Sequence, residues 1–70
     1  MSTTIRRTLR RIRLDLGLTQ RQLAERVGID ATTVSDYEHG KMVPSILRAR
    51  EIADALGVGL DAIDFETSVA

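Results

Sequence analysis

The apolar positions fall at helical spacing, most clearly in the stretch from Gln20 to His39, QRQLAERVGIDATTVSDYEH. Leu23, Ala24 and Val27 make one inward stripe. Thr19 stands where an N-cap belongs, Gln22 three residues on completes a capping box, and Leu18 and Leu23 are spaced for a hydrophobic staple. Gly28 follows the last periodic residue, where a left-handed C-cap is cheapest without a Cβ. Ile29 supplies the apolar contact after that cap, and Asp30 is placed to cap the next helix. In that helix Val34 and Tyr37 point inward and Glu38 lies at the border. Thr32, Ser35, Asp36 and His39 fall on the opposite side at i, i+3, i+4 and i+7. Ala24 is small where two helices crossing steeply must approach closely.

The flanking segments continue the helical reading. Ser2, Thr3 and Thr4 offer caps for a first helix running to about Leu16, with Ile5, Leu9, Ile12 and Leu16 on one arc and arginines over the rest. Gly17 ends it. After His39, the run from Gly40 to Ser45 is a loop by composition, Gly40 closes the preceding helix, and Pro44 turns Val43 away from helical geometry. Ser45 caps a fourth helix, Ile46 to Leu56, with Ile46, Ala49, Ala53 and Leu56 inward, Ile52 beside them, and Leu47 and Arg50 outside. Gly57 stops it. A short fifth helix follows, with Leu60 and Ile63 inward and Asp61 near its positive N-terminus. Phe65 closes the apolar pattern, and Glu66 to Ala70 read as a frayed tail. The expectation is an all-α, compact five-helix domain over residues 1–70, its core at about 5–65, with a helix-turn-helix formed by helices 2 and 3.

Composition narrows the function. A chain of 70 residues buries only roughly 60% of its unfolded surface, which leaves little room for an active-site cavity. No nucleophile–base–acid constellation or phosphate loop is present, so neither an enzyme nor a cofactor is expected. The absence of Cys excludes disulfides, and with a single His it argues against structural zinc. No apolar run approaches a membrane span or signal-peptide core, so a cytoplasmic location is expected. Net charge is zero, yet the charges are polarised. Arg6, Arg7, Arg10, Arg11 and Arg13 crowd the first helix, whereas Glu51, Asp54, Asp61, Asp64 and Glu66 carry the last twenty residues. Such a molecule can show a phosphate-attracting face while neutral overall. The Arg-rich start also has the look of a transit peptide or membrane-surface helix, but without it the chain has too little apolar surface to fold. The late carboxylates read as dipole partners and surface charge rather than a cation site.

The stretch GLTQRQLAERVGIDATTVSDYEHGK, followed by VPS and ADALGVGLDAI, resembles the phage Cro and repressor-type helix-turn-helix family, whose domains are lambda-repressor-like. The resemblance runs from about Ile5 to Phe65. It implies a sequence-specific regulator of transcription, a repressor that binds an operator in double-stranded DNA as a homodimer with helix 3 in the major groove. Carried over residue by residue, Gln20 resembles the glutamine that bridges a phosphate and the recognition surface. Ala31, Thr32 and Asp36 match positions that meet base edges, Ser35 one that reaches backbone or base, and Lys41 a phosphate contact. Arg13 and Glu38 match a partly buried ion pair tying helix 1 to helix 3.

The departures matter as well. Helix 3 has no Arg, Asn or Gln for the bidentate base contacts worth about 1–3 kcal/mol each, and Arg50 replaces a residue commonly apolar. Asp36 can accept from cytosine N4, and the Ala31 and Thr32 methyls suit thymine. The helix 4 to helix 5 region, notably Val58, Leu60 and Ile63, is the expected dimer surface, and His39 the expected exposed bystander. Two alternatives remain open: an antitoxin-like or adaptor module whose main partner is a protein, and the controller of a restriction-modification operon.

Overall fold

The computed structural model describes residues 6–65. Its elements run β1 (Arg7–Thr8), α1 (Leu9–Asp15), α2 (Gln20–Val27), α3 (Ala31–Glu38), α4 (Ile46–Leu56), a 3-10 turn (Leu60–Ala62) and β2 (Ile63–Asp64). The core is one cluster. Leu9 and Ile12 of α1, Leu18 in the turn before α2, Leu23 and Ala24 of α2, Val34 of α3, Ile52, Ala53 and Leu56 of α4, and Ile63 close on one another, with Tyr37 and Phe65 half-buried at its margin.

The local signals around α2 hold in full. Thr19 Oγ1 accepts from the Gln22 amide at 3.0 Å while Gln22 Oε1 accepts from the Thr19 amide at 2.9 Å. Two orphan donors of the first turn are thereby satisfied. Leu18 and Leu23 are both buried. Ser45 caps α4 in the same way, its Oγ accepting from the Arg48 amide at 3.1 Å, and α4 ends at Gly57 in left-handed geometry.

The ends depart from the five-helix expectation. The first helix starts at Leu9, not in the first four residues, because Thr8 takes an extended conformation (φ −64°, ψ 155°) and its hydroxyl accepts from the Arg11 amide at 3.1 Å. The caps expected at Ser2, Thr3 and Thr4, the inward Ile5, and the tail after Phe65 lie outside the described residues. Arg7 and Thr8 pair in parallel with Ile63 and Asp64. The fifth helix is therefore only one 3-10 turn, after which Ile63 turns extended (φ −105°, ψ 129°). That β-branched residue fits a pleated, buried strand better than a second helical turn. Among the described residues there are thus four α-helices, a 3-10 turn and a two-stranded parallel clasp of Arg7–Thr8 with Ile63–Asp64.

Two positions on otherwise correct arcs are also exposed. Leu16 is the C-cap of α1 and 51% exposed, and Ile46, the first residue of α4, is 74% exposed. Ile46 shares an azimuth with Ala49 and Ala53 but, as the first residue of α4, borders an open groove rather than the packed core. Periodicity reports direction around a helix axis, not whether a neighbour exists at that height.

Gly28 holds φ +87°, and a Cβ built there meets no atom within 4 Å. Gly28→Ala is therefore expected to destabilise by backbone strain alone, about 1–2 kcal/mol, read as a lower urea midpoint with an unchanged slope.

Candidate nucleic-acid interface

The α2–α3 corner is built from its smallest residues outward. Ala24 is buried against the crossing and its carbonyl accepts from both the Gly28 amide (2.8 Å) and the Ile29 amide (2.9 Å). This closes α2 and reverses the chain within three residues. Asp30 occupies the cap position of α3 through its backbone only: its side chain makes no capping hydrogen bond. Val34, fully buried, and half-buried Tyr37 fasten α3 to the core.

The other side of α3 carries the polar row. Thr32 and His39 are exposed and Ser35 and Asp36 half-buried. Ala31 is half-buried against the core, so only part of it faces outward. His39 Nδ1 lies 2.8 Å from the Ser35 carbonyl oxygen and 3.2 Å from Ser35 Oγ. A carbonyl only accepts, so Nδ1 carries the hydrogen, and in the neutral ring Nε2 remains as an acceptor. Lys41 is exposed, and its amide (2.9 Å) and that of Met42 (3.3 Å) donate to the Asp36 carbonyl, anchoring the loop on the last turn of α3.

Beneath this row lies a buried charged network. Arg13 donates from Nε to Glu38 Oε2 at 2.6 Å and from Nη2 to Oε1 at 3.1 Å, and its Nη1 donates to the Leu18 carbonyl at 2.7 Å. The two side chains are 8% and 1% exposed. Gln20 Nε2 donates to Glu38 Oε1 at 3.0 Å. The ion pair implied by the resemblance is present and couples α1, the turn before α2, the first turn of α2 and the last turn of α3. The Gln20–Glu38 bond joins residues 18 apart and had no local signal in the sequence. Of the residues expected at the site, Thr32, Ser35 and Asp36 share the polar row of α3, Lys41 is exposed in the loop that follows, Ala31 is half-buried against the core, and Gln20 is held by the network.

Two short helices meeting at a left-handed glycine, the second showing a polar row to solvent, define a helix-turn-helix domain. The Helix-turn-helix family profile matches residues 9–63, and the chain belongs to the Cro/repressor-type helix-turn-helix DNA-binding family, whose members are transcriptional regulators and not enzymes. An uncharacterized HTH-type transcriptional regulator of Methanothermobacter thermautotrophicus is 47% identical over 53 residues, covering 76% of this chain and 77% of the relative. The cryptic phage CTXphi transcriptional repressor RstR of Vibrio cholerae is 34% identical over 59 residues, 84% of this chain and 53% of that protein. Multiprotein-bridging factor 1 of Eremothecium gossypii is 33% identical over 60 residues, 86% of this chain and 40% of that protein. The chain thus spans about half or less of the last two. The arginine-bearing first helix lies within the matched domain, with Leu9, Ile12 and Arg13 buried. Among the described residues no helix is long and apolar enough to cross a membrane.

Removing either partner of the buried pair leaves an uncompensated charge. Arg13→Met or Glu38→Leu alone is expected to destabilise by about 3–5 kcal/mol, whereas the double replacement should lose much less than the sum. Urea denaturation of the four proteins measures the coupling directly.

Proposed function

We propose that this protein represses transcription by binding an operator in double-stranded DNA as a homodimer, inside the cell, with α3 in the major groove. The observation that carries this reading is the outward row Thr32, Ser35, Asp36 and His39 on a helix whose other side is locked by Val34 and Glu38. A groove-reading helix must be rigid and show hydrogen-bonding groups and methyls at base height. Ala31 and Thr32 offer methyls for thymine, Asp36 an acceptor for cytosine N4, and Ser35 a hydroxyl of either sense. Lys41, arginines of α1 and the first turn of α2 at Gln20 supply phosphate contacts that set register without reading sequence. With no bidentate reader on α3, one copy has limited discrimination. Two copies on half-sites roughly 34 Å apart supply the rest. Occlusion of a promoter is the simplest consequence, and the name of the phage repressor relative supports it.

The second reading is an adaptor whose main partner is a protein. The name of the bridging-factor relative and the sparse base-reading chemistry of α3 favour it. A controller of a restriction-modification operon is a variant of the first reading and uses the same surface.

Selection of duplexes from a random pool at two salt concentrations tests the proposal. The intact protein should enrich an inverted repeat. Thr32→Ala and Asp36→Ala should stay folded by circular dichroism yet discriminate less between selected and random duplexes. Equal loss on both kinds of DNA would remove their reading role. Lys41→Ala should weaken all duplexes alike and lower the salt slope by about 1. A protein that ignores every duplex in dilute buffer but holds a protein partner tightly favours the adaptor.

A further inference from the structure

The sequence holds one histidine and no cysteine, so no other side chain ordinarily changes charge between pH 5 and 8. That histidine, His39, closes the outward row of α3. It is exposed at the C-cap of the helix, two residues before Lys41. One edge of its ring is held. Nδ1 lies 2.8 Å from the Ser35 carbonyl oxygen, with Ser35 Oγ 3.2 Å away. A carbonyl only accepts, so Nδ1 keeps its hydrogen in both charge states and the whole change on protonation falls on Nε2. In the neutral ring Nε2 is an acceptor; in the imidazolium it is a donor.

The charges around α3 are mostly spent elsewhere. Glu38 turns inward to Arg13 and Gln20. Of the helices packed on α3, α1 carries Arg13, committed to Glu38, Arg11, paired with Asp15 at 3.3 Å, and Arg10, exposed one turn before Arg13. On α2, Arg21 pairs with Glu25 at 3.7 Å, and Arg26 stands by Gly28 at the far end of α3. Asp36, one turn back, is the carboxylate of the same polar row, and Lys41 is the cation of the following loop. Among the described residues His39 forms no ion pair and no hydrogen bond outside α3.

We propose that His39 binds a DNA phosphate as its imidazolium, so that duplex binding takes up a proton and weakens as the pH rises. This deepens the duplex-binding reading above and rests on it. A phosphate oxygen offers only lone pairs. Neutral His39 would set the Nε2 lone pair against it, and moving the hydrogen to Nε2 would set the Nδ1 lone pair against the Ser35 carbonyl at 2.8 Å. Only the charged ring satisfies both sides at once, and its bond to phosphate is then charge-assisted. Position favours phosphate over a base edge. In a helix-turn-helix the N-terminal residues of the second helix reach the bases, and Thr32 stands at that end of α3. His39 stands two turns further on, where the chain leaves through Gly40 toward Lys41.

The test is fluorescence anisotropy of a labelled duplex of random sequence at pH 6, 7 and 8 and fixed ionic strength, with circular dichroism confirming the fold at each pH. A phosphate contact is indifferent to sequence, so no operator is needed. The intact chain should bind about tenfold more tightly at pH 6 than at pH 8, the low end for a hydrogen bond to a charged group. His39→Gln should stay folded and lose most of that dependence. His39→Lys, a cation throughout, should show a flat profile and bind more tightly than His39→Gln at pH 8. In proton NMR the ring signals of this single histidine should hold their protonated position to higher pH on the duplex than in the free chain. Tighter binding at pH 8 would make neutral Nε2 an acceptor from a base, and overturns the phosphate contact. A pH dependence that His39→Gln retains places the proton elsewhere and overturns it too. Equal binding at pH 6 and 8 sinks this proposal and leaves the duplex reading standing, whereas no binding at any pH sinks both.

Discussion

A carboxylate buried to 1% exposure cannot survive without partners, and Glu38 has three hydrogen bonds, two from the Arg13 guanidinium and one from the Gln20 amide. Desolvating an ion pair costs several kcal/mol per charge, which the attraction offsets only when geometry is good and the remaining donors are satisfied. Here they are satisfied, since the third arm of Arg13 reaches the Leu18 carbonyl, and no buried side-chain nitrogen or oxygen among the described residues lacks a partner. An apolar replacement could match such a network in stability, but it would lack the directionality. The fork of Arg13 sets the last turn of α3 against α1, and Gln20 sets it against the first turn of α2.

That constraint gives the outer surface of α3 its meaning. A helix held only by Val34 and Tyr37 could roll on the core, and the residues presented to a groove would change with it. With Glu38 pinned, Thr32, Ser35 and Asp36 keep one orientation, and the loop carrying Lys41 is fixed to the Asp36 carbonyl. The same network changes the role of Gln20. One of its two Nε2 hydrogens is given to Glu38, so only the other Nε2 hydrogen and the backbone amides of the first turn of α2 remain to donate to a phosphate. His39, expected to be a bystander, has a ring whose tautomer is set by the Ser35 carbonyl.

The clasp between Arg7–Thr8 and Ile63–Asp64 is the second organising feature. It brings the basic start of the chain onto the acidic end, with Arg6 donating to the Ile63 carbonyl at 3.3 Å and lying 3.9 Å from Asp64. Two poles that looked separate in sequence are thus partly neutralised against each other. The clasp also forms one wall of the groove beside Ile46.

The sequence by itself determined the local structure wherever a signal and its response lie within one turn. The Thr19–Gln22 box, the Gly28 reversal, the Ser45 cap, the Gly57 stop and the bounds of α2, α3 and α4 all follow from side-chain chemistry over three or four residues, and the polar row of α3 follows from its period. The Arg13–Glu38 pair was legible through resemblance, since 25 residues separate the partners. What tertiary structure alone decided was everything that requires a distant neighbour. Thr8 caps a helix because its backbone is extended against Ile63 and Asp64. Ile63 is core strand rather than helix or dimer surface because Arg7 pairs with it. Ile46 and Leu16 lie on apolar arcs yet stay exposed, and Gln20 meets Glu38 only because α2 and α3 cross. Periodicity encodes the direction of a side chain, while burial depends on what the rest of the chain puts in its path.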